Sequence, residues 1–284
     1  MSESSNVAVK IRGNYVDLQL TGKRALITGS SSGIGAAIAL TLADEGCAIV
    51  IHGRNPERAQ KVAAACEAKG VKVEVALGAI TDDAEADAIA ERALAALGGI
   101  DILVNSAGGT VRGDNPSWTD VSSDEWLLSF SLNVISVIRL AKRLTPGMIE
   151  RGWGRIINLS SMAGTQVSGR LLDYGAAKAA LDHLTCNMSR ALAGRGVTVN
   201  AVVPGPVLTP QTERWINTLG EQNGWPQDFA ERERIYTRDF GEQPVARLGR
   251  PEEIAAAVAL LASPLSDYTT GASLRIDGGN TRAR

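Results

Sequence analysis

The chain has 284 residues, 44% of them apolar and 21% charged, with a formal net charge of -2. That balance fits a globular protein and argues against the strongly basic surface of a nucleic-acid binder or a polybasic membrane-surface protein. Three widely spaced cysteines with no CxxC pair, and only two histidines, His52 and His183, argue against a disulfide framework, a zinc cluster or a His-rich metal centre.

Residues 1–20 carry Glu3, Lys10, Arg12 and Asp17 and no continuous apolar core. They read as an N-terminal extension rather than a signal peptide, and no later run reaches the length of a membrane span. A cytoplasmic protein is expected, with one domain over 21–284. Residues 24–28 read as a strand, followed by a helix over 33–45 and a second strand over 47–52. The next helix starts near Pro56, a residue suited to the first helical position. Strands over 72–76 and 101–104 flank an Ala-rich helix over 82–97. A long helix follows Ser122 and is expected to be interrupted near Pro146–Gly147. Then come a strand over 156–159, a helix over 174–195, a strand over 197–203, a helix over 251–261 and a seventh strand over 273–276. Strict alternation of strand and helix implies parallel strands joined by right-handed crossovers. The expected fold class is therefore α/β, a doubly wound, seven-stranded parallel sheet of Rossmann type with helices on both faces. Residues 209–247 break the rhythm and hold Trp215, Trp225, Phe229 and Tyr236 among many charges, the composition of a substrate lid.

Thr28-Gly29-Ser30-Ser31-Ser32-Gly33-Ile34-Gly35 joins the first of these strands to the first helix. Glycines there let the backbone turn sharply and approach a pyrophosphate, and the helix N-terminus offers free N–H groups. At the end of the next strand, Ile51-His52-Gly53-Arg54-Asn55 has no carboxylate before Glu57. An acidic residue there would bind a ribose 2′-hydroxyl; Arg54, helped by Ser31 or Ser32, suits a 2′-phosphate, so NADP(H) is favoured over NAD(H). His52 reads as a packing residue. Asn105-Ser106-Ala107-Gly108 follows the fourth strand, where small residues let the backbone pass close to a bound adenosine.

Tyr174 and Lys178 are spaced i, i+4 and share one face of a helix. An ammonium ~4 Å from a phenol at an effective dielectric of ~20 contributes roughly 4 kcal/mol, enough to bring the phenol toward ~7. Ser161 stands at the carboxyl edge of the strand before it, placed to hold a substrate oxygen. Asn133 is a polar residue in an apolar helical stretch, able to bend that helix and to anchor a water serving Lys178. A hydrolase using Ser161 would need a His partner and has only His183.

Taken together, these residues resemble the short-chain dehydrogenase/reductase family over roughly residues 20–279. The resemblance includes the TGxxxGxG loop, the Asn-x-Ala-Gly turn, the Ser/Tyr/Lys spacing, Pro204-Gly205-Pro206-Val207-Leu208-Thr209, the stretch Arg247-Leu248-Gly249-Arg250-Pro251-Glu252-Glu253-Ile254 and Ile276-Asp277-Gly278-Gly279. It implies a catalytic set of Asn133, Ser161, Tyr174 and Lys178. It further implies that Lys178 binds the nicotinamide ribose, that Pro204, Gly205 and Val207 border the nicotinamide, and that Thr209 binds its carboxamide or the diphosphate. Reduction of a ketone to a secondary alcohol, with Tyr174 giving the proton, is the implied reaction; a homotetramer is the implied assembly. Two positions depart from the family pattern. Ser106 stands where a second Asn is usual, and Ala79 where an adenine-binding Asp is common, leaving Ile80 to contact adenine. Val111, Arg112, Trp118, residues 165–173 and the aromatic lid are expected to line a pocket for a medium-sized, partly apolar carbonyl compound, a 3-oxoacyl or ring ketone. A sugar or polyol, or a non-catalytic nucleotide-binding regulator, are the alternatives.

Overall fold

The computed structural model describes residues 10–12, 15–111, 118–167 and 169–282. β1 (Lys10–Arg12) and β2 (Tyr15–Asp17) pair antiparallel within the N-terminal extension. The alternating body follows as β3 (Arg24–Ile27), α1 (Gly33–Asp44), β4 (Ala48–Gly53), α2 (Pro56–Glu67), β5 (Val73–Leu77), α3 (Asp83–Leu97) and β6 (Ile102–Asn105). After it come α4 (Ser123–Phe130), α5 (Ser136–Glu150), β7 (Gly154–Leu159), α6 (Leu172–Ala191) and β8 (Val197–Pro204). The chain closes with α7 (Pro210–Gln222), α8 (Phe229–Ile235), α9 (Pro251–Ala262) and β9 (Ser273–Ile276).

β3 to β9 form one parallel sheet of seven strands in the order β5-β4-β3-β6-β7-β8-β9, the doubly wound arrangement expected from the alternation. Successive strand residues point to opposite faces, and both faces are covered. Ile27 and Ile51 pack with Leu42 and Val258 under α1 and α9, while Leu26 and Val50 pack with Ala90, Leu140 and Val199 under α3 and α5. Each Ile, Leu or Val side chain so removed from water contributes roughly 1.5–3 kcal/mol. Local chemistry sets the helix ends. Asn55 caps α2 by accepting the Arg58 N–H, with Pro56 at the first position, and Asp82 caps α3 by accepting the Glu85 N–H. α6 stops at Ala191, four residues short of the expected end, and left-handed Gly194 and Gly196 (φ 72° and 73°) carry the turn into β8.

The expected interruption at Pro146 is corrected. α5 runs through Pro146 to Glu150, because Leu140, Ala141, Leu144 and Met148 on the same helix are buried and hold it against the sheet. The irregular stretch lies earlier, in a π turn over Ser131–Ile135 between α4 and α5. The Asn133 side-chain amide donates to the Ser129 carbonyl (2.9 Å), the i−4 acceptor that a regular helix reserves for the backbone N–H.

Candidate active site

The sheet's strand order reverses between β3 and β6, and a crevice opens there at the strands' carboxyl ends. The glycine loop leaves β3 at this point. Gly29 and Gly33 have φ of 67° and 57°, values that side-chain-bearing residues rarely adopt. A Cβ on Gly35 would lie 2.5 Å from the Gly29 carbonyl oxygen, so α1 starts flush against the loop. Ser32 is the N-cap of α1 but makes no side-chain cap bond, and it is exposed; Ile34 is partly buried against the core. His52 does more than pack. Its Nδ1 accepts the Gly29 N–H (3.0 Å), which leaves the proton on Nε2, 3.2 Å from the Gly78 carbonyl. Burial pushes its pKa down to about 4, against the pull of the Gly78 carbonyl, and the Arg54 charge adds to the lowering. Arg54 is exposed at the end of β4, beside Gly53, whose missing Cβ leaves room for the Ser31 hydroxyl at 2.6 Å from the Cβ position.

The turn after β6 is fastened to this loop. Thr28 Oγ1 accepts the N–H groups of Ser106 (3.0 Å) and Ala107 (2.9 Å). Asn105 faces inward: its amide donates to Asn158 Oδ1 (2.8 Å), and Asn158 donates to Thr185 Oγ1 (2.8 Å), tying β6, β7 and α6 through a buried polar chain. Gly108 has no room for a side chain, since a Cβ would lie 2.7 Å from Asn133 Oδ1 and 3.2 Å from Lys178 Nζ. Asn133 clasps the next residue at both ends, accepting the Gly109 N–H and donating to its carbonyl, each at 3.0 Å. Ile80 is 5% exposed and belongs to the core under α3; its carbonyl accepts from Arg139 (3.3 Å).

Ser161 follows β7, and its Oγ accepts the Ala163 N–H (3.2 Å) to start a short 3-10 turn over Met162–Gly164. The Ser161 hydroxyl is near enough to that of Tyr174 to pull its pKa down. Gly175 lets α6 close on that turn, because a Cβ there would lie 2.9 Å from the Ala163 carbonyl oxygen. Lys178 is buried and donates to the Leu159 carbonyl (2.7 Å), its ammonium 5.5 Å from the Tyr174 ring centre. The structure therefore brings Asn133, Ser161, Tyr174 and Lys178 to one edge of the sheet. It reverses the direction expected for the phenol: burial pushes Tyr174 up, with only the Ser161 hydroxyl pulling it down. Loss of water around the phenol outweighs what its neighbours contribute. Lys178 bears that cost too and is pushed down to about 8, although Asp182 opposes the shift.

The far wall comes from the stretch after β8. Pro204 ends the strand, and Gly205 sits so close to β9 that a Cβ would lie 2.8 Å from Asp277 Cα. Val207 is buried and bridges to Gly249. Thr209 caps α7, and its methyl carbon lies 3.4 Å from where a Gly33 Cβ would be, which brings the stretch over the glycine loop. Beyond it α7 and α8 are stapled by the buried Arg232, which donates to Pro226 O (2.6 Å) and Asn217 Oδ1 (3.0 Å). Trp215 and Tyr236 meet edge to face at 5.2 Å. Trp118 is 70% exposed and His183 is exposed; Arg112 lies outside the described residues. Asn158 and Asp182 were not singled out from the sequence. A polar residue inside the apolar run 156–159 and an acid one turn beyond Lys178 were the available signals.

Residues 29–281 match the family described as Enoyl-(Acyl carrier protein) reductase. The chain is 36% identical to the 3-oxoacyl-[acyl-carrier-protein] reductase FabG of Vibrio cholerae, over 92% of this chain and 98% of that protein. L-sorbose reductase from Gluconobacter frateurii, solved with NADPH and L-sorbose, superposes with a TM-score of 0.87 at 33% identity, covering 94% of this chain and all (100%) of that one. A 7α-hydroxysteroid dehydrogenase, solved with NADH and 7-oxo glycochenodeoxycholic acid, gives 0.82 at 31% identity, covering 94% of this chain and 98% of that one. These relatives share an architecture and differ in both carbonyl substrate and cofactor.

Proposed function

The chain belongs to the short-chain dehydrogenase/reductase family of oxidoreductases, and on that basis we propose that it interconverts a ketone and a secondary alcohol with NADP(H), using Tyr174 as the proton donor or acceptor. The observation that carries the reading is the convergence of the Ser161 and Tyr174 hydroxyls beside the buried Lys178 ammonium. Two hydroxyls converging on one oxygen suit a carbonyl that becomes an alkoxide. Ser161 orients that oxygen, Tyr174 delivers its proton, and Lys178 stabilises the phenolate left behind. Asn133 holds the turn at Gly108–Gly109 against Lys178. Such proton transfer contributes about 10²–10⁴-fold in rate.

The residues at the crevice fit a dinucleotide bearing a 2′-phosphate. The fit rests on the close-packed glycine loop, the uncapped Ser32 and the exposed Arg54 beside Ser31. Gly29, Ser31, Ser32, Gly33, Ile34 and Gly35 would hold the phosphates, Arg54 the 2′-phosphate, and Ile80, Asn105, Ala107 and Gly108 the adenosine side. Lys178, Pro204, Gly205, Val207 and Thr209 would face the nicotinamide end. When bound, the reduced cofactor supplies the hydride. For substrate, the Trp215–Tyr236 pair in the segment after β8, read as a lid, favours a 3-oxoacyl or ring ketone. A sugar or polyol is the second reading, supported by the likeness to L-sorbose reductase. A homotetramer is part of the proposal, in keeping with the exposed apolar Leu127, Leu128 and Ile135 on and beyond α4.

The test is nicotinamide absorbance with NADPH and NADH against a panel of 3-oxoacyl esters, ring ketones and ketoses. Tyr174→Phe is expected to lower kcat at least ~10²-fold, and Arg54→Ala to weaken NADPH about tenfold or more while sparing NADH. Undiminished reduction by the Phe variant, or an NADH preference in the unmodified protein, overturns the corresponding part.

A further inference from the structure

Asp182 lies one helical turn beyond Lys178 on α6, so the two side chains leave the same face. Ser160, the residue immediately before Ser161, is near enough to the Asp182 carboxyl to pull its pKa down against burial. Ser160 Oγ also lies 3.4 Å from the Lys178 carbonyl, so the pair is bracketed from just beyond β7. A Cβ on Gly164 would come within 2.9 Å of the Ala179 nitrogen and 3.2 Å of Asp182 Oδ2. The turn that carries Ser161 is thus pressed onto the stretch of α6 from Lys178 to Asp182. Asp182 Oδ1 is buried without a hydrogen-bond partner among the described residues. A carboxylate sunk in this way needs a nearby opposite charge to remain ionised.

We propose that Asp182 is a positioning residue for the proton-transfer pair, holding the Ser160–Ser161 turn to α6 and keeping the Lys178 ammonium charged at working pH. The proposal rests on the reading of Tyr174 and Lys178 given above. Burial pushes Lys178 down to about 8 and Asp182 up, and each charge opposes the shift of the other. The groups around the ammonium are few. Its own helix brings Tyr174 and Asp182; β7 brings the Leu159 carbonyl, and Ser160 follows it; the turn after β6 brings Gly108; and the π turn brings the neutral Asn133. β8 and the 3-10 turn, which also pack on α6, contain no charged residue. α4 has Asp124 and Glu125 in its first turn, with Glu125 bound in the Ser122 capping box. Among the described residues, Asp182 is therefore the acid whose charge acts on Lys178.

Two readouts test this in the full chain: the alkaline limb of the kcat–pH profile, and the side-chain carbon NMR titration of Lys178, assigned by its loss in Lys178→Arg. Asp182→Asn is expected to move both midpoints to lower pH by about one unit, and Asp182→Glu to restore them. Asp182→Ser is the second neutral variant if the amide does not fold, with the same expectation. Midpoints that stay in place in the neutral variant, or that Glu does not restore, overturn the proposal. A protein without reductase activity would overturn the functional reading alone, because the NMR titration still decides whether Asp182 holds the charge on Lys178.

Discussion

Gly35 and His52 show how single residues shape the crevice. Alanine in place of a helical glycine ordinarily gains about 1 kcal/mol in propensity. At Gly35 the added methyl would meet three backbone atoms, the Gly29 carbonyl oxygen and carbon at 2.5 and 2.8 Å and Ser30 Cα at 3.0 Å. Backbone cannot swing aside as a side chain does, and overpacking of this kind costs about 1–3 kcal/mol or more. Gly35→Ala is therefore expected to lower the urea midpoint and to weaken NADPH at least about tenfold by lifting α1 off the loop. His52 makes the same loop sensitive to acid. Its folded pKa of about 4 lies below the unfolded value near 6.5, so between those pH values the unfolded chain binds more protons. Stability is unaffected above the unfolded value and falls as the pH drops toward 4, by about 3 kcal/mol in all. Protonating Nδ1 also removes the acceptor for the Gly29 N–H. Urea unfolding at pH 7 and pH 5 is expected to show a smaller loss in His52→Gln than in the unmodified protein.

Most elements announced themselves as apolar runs bounded by glycine, proline and capping residues, as at Asn55-Pro56 and Asp82. Pro146 did not follow the rule that proline ends a helix. Its own turn loses a hydrogen bond, but Leu144 and Met148 on either side are fully buried, and tertiary packing overrides the local cost. That cost is still present in the native state. An interior proline is worse than alanine by about 3 kcal/mol in an isolated helix, and the stiffer unfolded chain returns up to about 1. Pro146→Ala is thus expected to stabilise the protein by about 1–2 kcal/mol, read as a raised urea midpoint with unchanged kcat. The candidate site was legible where its chemistry lies in contiguous motifs, at 28–35 and 174–178. The Asn105–Asn158–Thr185 chain was not, because it exists only once β6, β7 and α6 are side by side. Nor was the direction of the Tyr174 shift, since spacing reveals a neighbouring charge but not the loss of water that accompanies it.

Across the whole molecule the two edges of the sheet carry different duties. The carboxyl edge holds the glycine loop, the Ser161–Tyr174 pair and Lys178, whose buried charge costs stability. The amino edge holds an ionic cluster that fastens strand starts to one another. Arg24 Nε and Nη2 donate to Asp101 at 2.7 and 2.6 Å, and Arg151 Nε donates to the same carboxylate at 3.2 Å. Nearby, Trp153 lies between Lys23 and Arg155 at 3.8 and 4.2 Å, and Arg155 is paired with Asp267. Burial alone would push the Asp101 carboxyl up, but the hydrogen bonds and charge of Arg24, with Arg151, outweigh it and hold the pKa below the ordinary value. A carboxylate shifted this way adds stability above its unfolded pKa and loses it as the pH falls through the folded one. Asp101→Asn would leave two guanidinium groups facing each other. Breaking a buried pair costs about 3–5 kcal/mol, and discounting for the partial exposure of all three side chains leaves about 2. The expected result at pH 7 is a lower urea midpoint with NADPH affinity and kcat intact, and a gap to the unmodified protein that narrows at acid pH. Gly35→Ala, at the opposite edge, is expected to lose affinity along with stability; equal losses of affinity in both variants would show that the edges are not separable.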